Sequence, residues 1–216
     1  MVRNVLLSLF TIFALVYVFF IDTFDAKYHM LFKLIPMILL LLVALLTRVR
    51  FVRHYKRIII VALLFCAIGD YTLQWFLVGL TCFLIGHVFY IVAFRSTNER
   101  MTPKWMYMLL GLLGTSLAVF FASTLFANGE TILVVAVLLY IAIILTMGAM
   151  SFRVGVPIAI IGATLFIVSD TILAFNRFIT PLSLAHELIM LTYYGAQLCF
   201  VLSIAKYDEY RSKVVQ

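Results

Sequence analysis

The chain has 216 residues, 66% of them apolar and only 12% charged, with a formal net charge of +7 and a mean hydropathy of +1.18. Soluble domains are roughly 45–50% apolar and about 25% charged, so a water-facing surface cannot be built from this composition. A soluble globular protein, a disordered chain and a secreted disulfide scaffold are excluded, and an all-α bundle with the lipid bilayer as its solvent remains. The basic residues lie in short segments between apolar runs and form no aromatic-interleaved groove, which excludes a nucleic-acid partner. Cys66, Cys82 and Cys199 all lie inside apolar stretches and read as small packing side chains, not as a disulfide framework.

A crossing helix needs about 20 apolar residues, and open backbone groups are not tolerated in lipid, so each long apolar run reads as a helix. In chain order these are expected near 4–21, 30–47, 57–75, 79–95, 105–126, 131–150, 155–175 and 184–205. The first ends on bulky Tyr17-Val18-Phe19-Phe20 without a small-residue cleavage site, and reads as a retained helix, not a signal peptide. The apolar stretch from Ile58 to Phe94 is too long for one crossing and is divided at a turn over Gln74–Gly79. The result is a polytopic membrane bundle of eight transmembrane helices forming one domain over 1–216, seven being the alternative count.

Eight helices put both termini on one side. Thirteen of the 16 Lys and Arg then share that side, and only Lys27, Lys33 and Arg177 lie on the other. Positive residues in short loops stay cytoplasmic. Both termini are therefore expected to be cytoplasmic, in a multi-pass protein of the cytoplasmic membrane.

Two carboxylates stand where a membrane span should hold none, at a cost of roughly 2.5–3.5 kcal/mol each at the helix centre. Asp70 lies in Ile68-Gly69-Asp70-Tyr71-Thr72-Leu73 and Asp170 in Val168-Ser169-Asp170-Thr171-Ile172-Leu173. Their similar settings on helices three and seven suggest a parallel repeat of four helices plus four. At 1.5 Å per residue both fall roughly 6–9 Å below the outer ends of their helices. Lys33 (followed by Pro36), His87 and Tyr90, His186 and Glu187, and Tyr193, Tyr194 and Gln197 are placed to join the same layer. One polar pocket drawing on helices two, three, four, seven and eight is the expectation. Taken singly, an aspartate that bonds a neighbouring helix, a packed His87 and a snorkelling Lys33 are the plainer alternatives.

At these residues the chain resembles the YhhN family of membrane proteins, which includes the lysoplasmalogenases. The matching stretches are Gly69-Asp70-x-x-Leu73, Gly79 leading to Phe83, Gly86-His87 with Tyr90, and Ala93-Phe94. They continue with Gly162-Ala163-x-Leu165-Phe166-x-x-Ser169-Asp170-x-x-Leu173-Ala174-x-Asn176-x-Phe178 and with Tyr193-Tyr194-x-Ala196-Gln197-Leu198; Lys33-x-x-Pro36 also fits. The resemblance implies an eight-helix fold and hydrolysis of the vinyl ether bond of a lyso-phospholipid, the lysoplasmalogens. The products would be a fatty aldehyde and glycerophosphoethanolamine or glycerophosphocholine. It also implies Asp70 and Asp170 as the catalytic pair; Lys33, His87, Tyr90, Asn176, Tyr194 and Gln197 are read beside them as binding or supporting residues.

That chemistry suits the residues. Vinyl ether hydrolysis needs an acid that delivers a proton to carbon and an anion that stabilises the resulting oxocarbenium ion; glycosidases meet a similar demand with two carboxyl groups in unlike settings. No cofactor is required and no metal is expected. His87 or Tyr90 is expected to orient water and Lys33 to meet the phosphate. Three rival readings remain on sequence grounds. They are a metal hydrolase built from His87, His186, Asp70 and Asp170, a proton-coupled or lipid transporter using the same two acids, and a non-catalytic scaffold.

Overall fold

The computed structural model describes residues 2–97 and 99–214. Among them lie eight α-helices and no strand: α1 (Val2–Phe20), α2 (Ala26–Leu46), α3 (Arg53–Thr72), α4 (Phe76–Arg95), α5 (Lys104–Ala127), α6 (Thr131–Ser151), α7 (Pro157–Phe178) and α8 (Ala185–Val214). Single 3-10 turns follow α1 and α6. Seven of the helices are long and apolar enough to cross a bilayer. The remaining one, α3, is also 20 residues long, but it carries Arg53, Lys56 and Arg57 in its first turns and Asp70 near its end.

Helix ends follow local chemistry. Gly129 and Gly155 adopt the left-handed backbone (φ +77° and +79°) just past α5 and α6, a conformation that glycine enters without steric cost. The α3–α4 turn is tighter than the sequence suggests, Leu73–Trp75 instead of Gln74–Gly79, and α4 starts at Phe76 instead of 79. Gly79 makes this possible: a Cβ there would lie 2.6 Å from Leu73 Cα.

The largest departure is α8, which runs to Val214 instead of ending at 205. Its polar extension is held in three ways. Glu209 pairs with Lys206 at 3.3 Å and with Lys213 at 3.0 Å along the helix. The Asp208 carboxylate accepts the backbone N–H groups of Arg50, Phe51 and Val52. Glu99 accepts from Tyr207 at 2.8 Å and from Arg211 at 3.0 Å. Together with the Glu99 N–H bond to the Arg153 carbonyl, these contacts gather the α2–α3, α4–α5 and α6–α7 loops around the end of α8. That end of the bundle therefore holds most of the basic residues.

Helix pairings in the first half recur in the second. The α1–α2, α2–α3 and α3–α4 pairs are matched by α5–α6, α6–α7 and α7–α8, and α2 against α8 by α6 against α4. The interior is filled by side chains such as Met37, Leu40, Ile59, Leu63, Phe94, Phe166, Phe200 and Ile204, all essentially without exposure. α5 stands at the periphery, burying only Phe121 and Leu125. A ladder of polar pairs fixes α8 in this core: Asp70 with Tyr193, Tyr90 with Gln197, Tyr55 with Ser203, and Glu99 with Tyr207. Satisfied polar pairs of this kind fix helix register where apolar contacts alone leave it loosely specified.

Candidate active site

The repeat carries the two acids to matching places, and each is met by a side chain from the helix before it. Asp70, on α3, is buried. Lys33 of α2 donates to the Asp70 carbonyl at 3.0 Å and lies 3.6 Å from its Oδ1. The Tyr193 hydroxyl of α8 donates to Asp70 Oδ2 at 2.6 Å. Asp170, on α7, accepts a short hydrogen bond from the Tyr140 hydroxyl of α6. Among the described residues Asp70 has a cation at ion-pair distance and Asp170 has none.

Asp170 lines a cleft that Asp70 does not line. A wall of rings stands between them. Tyr193 meets Phe166 edge to face (centroids 5.5 Å apart), Phe166 meets His87 (4.5 Å), and His87 meets Tyr140 (5.3 Å). An unbroken series of contacts thus runs from Asp70 through Tyr193, Phe166, His87 and Tyr140 to Asp170.

The two sides of the wall differ in character. Asp70 looks into a polar knot of Lys33, Tyr193 and Tyr194. Asp170 borders a cleft between α4, α5, α6 and α7 that is otherwise apolar, with walls that include Phe83, Phe121, Ile144 and Ile167. The cleft is narrow, about 50 Å³. Among the described residues that line it, Asp170 is the only carboxylate, and Tyr140 and Thr171 are its other polar neighbours.

The supporting residues expected from sequence are distributed more widely. Lys33 is engaged by Asp70 through its ion pair and its bond to the Asp70 carbonyl. His87 is fully buried and its ring nitrogens form no well-shaped hydrogen bond among the described residues; it is part of the wall. Tyr90 donates to Gln197 Oε1 at 2.5 Å, one turn away from the acids. Tyr194 donates to the Lys33 carbonyl at 2.8 Å and so supports the lysine that holds Asp70. Asn176 Oδ1 accepts the Leu182 N–H at 2.8 Å and shapes the α7–α8 loop outside the acid layer. His186 lies against the Tyr17 ring and carbonyl. Among the described residues no three His, Cys, Asp or Glu side chains gather closely enough to hold a metal ion.

Sequence reasoning missed Tyr140. It is a lone hydroxyl in the run Val-Leu-Leu-Tyr140-Ile-Ala-Ile, with no neighbouring polar residue to draw attention to it. The four-plus-four repeat was the available signal, because it places α6 beside α7 as α2 lies beside α3. Tyr193 was visible in sequence as a residue of the acid layer, but its bond to Asp70 depends on how α8 packs against α3.

A bundle of long apolar helices that holds two carboxylates in its interior defines a multi-pass membrane protein with an intramembrane acidic site. The chain belongs to the YhhN family, which it matches over residues 28–204. It is similar to lysoplasmalogenase TMEM86A of Bos taurus, 32% identical over 169 residues that cover 70% of this chain and 66% of that protein. It is similar also to lysoplasmalogenase TMEM86B of Homo sapiens (33% identical, covering 69% and 64%) and of Mus musculus (36% identical, covering 66% and 61%). The chain therefore spans slightly under two thirds of the length of these relatives. No solved structure matches it significantly.

Proposed function

We propose that the protein hydrolyses the vinyl ether bond of a lysoplasmalogen, releasing a fatty aldehyde and glycerophosphoethanolamine or glycerophosphocholine. The observation that carries this reading is Asp170 at the border of a narrow apolar cleft, in a chain whose relatives bear the name lysoplasmalogenase. Asp170, with a hydroxyl donor and no cation beside it, is the proton donor. Asp70, held by Lys33, is the resident anion.

Asp170 transfers its proton to the alkenyl carbon remote from the ether oxygen, and the π electrons form the new C–H bond. The oxygen lone pair then stabilises the adjacent carbon as an oxocarbenium ion. The Asp170 carboxylate left behind faces that cation, and Asp70 adds negative potential from across the ring wall; electrostatics of this kind count for most where water is absent. A water molecule adds to the cationic carbon as Asp170 takes its proton. Asp170 then gives this proton to the ether oxygen of the hemiacetal as the C–O bond breaks, and takes up the hydroxyl proton as the C=O forms, which leaves aldehyde and alcohol and restores the acid. One water is consumed and no cofactor enters the balance. The whole chain acts as a single membrane domain of the cytoplasmic membrane, with its basic end, and so both termini, in the cytoplasm.

The test is product analysis. Purified protein in mixed micelles with lysoplasmenylethanolamine should give aldehyde and glycerophosphoethanolamine in equal amounts, and should leave the saturated 1-alkyl analogue intact. Movement of the intact lipid across vesicles without aldehyde release would replace this reading with the transporter.

A further inference from the structure

The apolar walls of the Asp170 cleft exclude a phosphate, so on the reading above the substrate's headgroup has to stay outside while its alkenyl chain enters. Lys33, the cation expected to meet that headgroup, is taken by Asp70 on the far side of the ring wall. Among the described residues, one other cation rests against a residue of the cleft, Phe76. Arg177 follows Asp170 by seven residues on α7, two turns along the same face and about 10 Å along the axis. Leu173, Ala174 and Phe178 line the cleft between and beside them.

The Arg177 guanidinium is exposed, and its Cζ lies 5.2 Å from the centroid of the Phe76 ring. Phe76 itself lines the cleft and meets Phe178 edge to face at 5.6 Å. Phe76 thus gives the guanidinium a cation–π contact and ties it to a ring of the cleft. None of the ion pairs among the described residues includes it. An exposed guanidinium that rests on an aromatic ring and belongs to none of these ion pairs is well suited to bidentate recognition of a phosphate.

We propose that Arg177 is the receptor for the phosphodiester of the lyso-lipid, and that its spacing from Asp170 sets which bond of the substrate meets the acid. In a 1-alkenyl lyso-phospholipid, six bonds separate the vinyl carbon bound to oxygen from the phosphorus, about 7–8 Å when extended. With the phosphate docked on Arg177, the vinyl ether lies at the depth of Asp170 and the alkenyl chain continues into the cleft. This inference rests on the hydrolase reading and adds the substrate's orientation to it.

The experiment compares two substrates, lysoplasmenylethanolamine and the phosphate-free 1-alkenylglycerol, across wild type, Arg177→Gln and Arg177→Lys. For Arg177→Gln, the preference in kcat/KM for the phosphorylated substrate should fall about tenfold, through KM, as expected for loss of a charge-assisted contact. Arg177→Lys should retain part of that preference. Hydrolysis of 1-alkenylglycerol should stay within about twofold for all three proteins. Equal losses on both substrates, or no loss on either, overturn the proposal, the former because Arg177 would then serve only the end of α7. A wild-type protein that cleaves neither substrate removes the hydrolase reading itself.

Discussion

Tyr140 of α6 donates its phenolic proton to Asp170 Oδ2 of α7, and no other hydrogen-bond donor reaches that carboxylate among the described residues. The bond leaves Oδ1 available and sets the plane of the carboxyl group against the cleft. Tyr140 is thus a positioning residue that acts through Asp170. Tyr140→Phe keeps the ring and its contact with His87 but frees the carboxyl to rotate. The expected outcome is a fall of about tenfold in kcat with KM unchanged, since misplacing a reacting group penalises the transition state more than binding. Steady-state aldehyde release measures both constants.

The Lys33–Asp70 pair is largely shielded, with side-chain exposures of 14% and 3%. Removing one partner of a buried pair leaves an uncompensated charge, at a cost of about 3 kcal/mol. Lys33→Met should therefore lower the thermal midpoint in detergent clearly. Adding Asp70→Asn in the same chain should restore much of the loss, because the stranded charge is gone. Thermal unfolding of the two single variants and the double variant measures this coupling.

Two glycines test how far close packing governs the bundle. A Cβ on Gly79 meets the Leu73 backbone at 2.6 Å, whereas a Cβ on Gly111 meets nothing within 4 Å. Gly79→Ala should separate α3 from α4 and sharply reduce the yield of folded protein. Gly111→Ala on the peripheral α5 should be neutral or slightly stabilising, given the helix preference of alanine over glycine. Size-exclusion profiles of the two variants separate these outcomes.

Asp208 illustrates a local determinant outside the membrane layer. Its carboxylate accepts three successive N–H groups before and at the start of α3. Asp208→Ala should cost about 1–2 kcal/mol, the usual range for loss of a helix cap, without changing the ratio of kcat to KM. Thermal unfolding with a parallel activity measurement checks both halves of the statement.

Much of this architecture is legible in sequence because lipid imposes one simple rule, that a long apolar run becomes a helix. Asp70 and Asp170 stand out because carboxylates are expensive in such runs. The partners of those acids are less legible. Tyr140 looks like any aromatic in an aliphatic stretch, and its role depends on α6 packing against α7. Lys33 reads as free for a phosphate until α2 is seen to place it on Asp70. The extension of α8 was missed because its polar residues carry no apolar signal, and its hold on the loops comes from Asp208, Tyr207 and Arg211 meeting groups distant in the chain. The ring wall was hidden for a related reason: Phe166 and His87 are ordinary residues of a span, and only the packing of α4 and α7 brings them between the acids.

The central claim is that Asp170 supplies the proton that starts vinyl ether cleavage. Asp170→Asn preserves the size of the side chain and its capacity to accept from Tyr140, but removes the acid. The deciding measurement is aldehyde released from lysoplasmenylethanolamine by purified Asp170→Asn protein whose elution profile and thermal midpoint match wild type. The account predicts a loss of at least about a thousandfold, on the scale at which a proton donor acts with the charge it leaves behind. Aldehyde release within tenfold of wild type would contradict it.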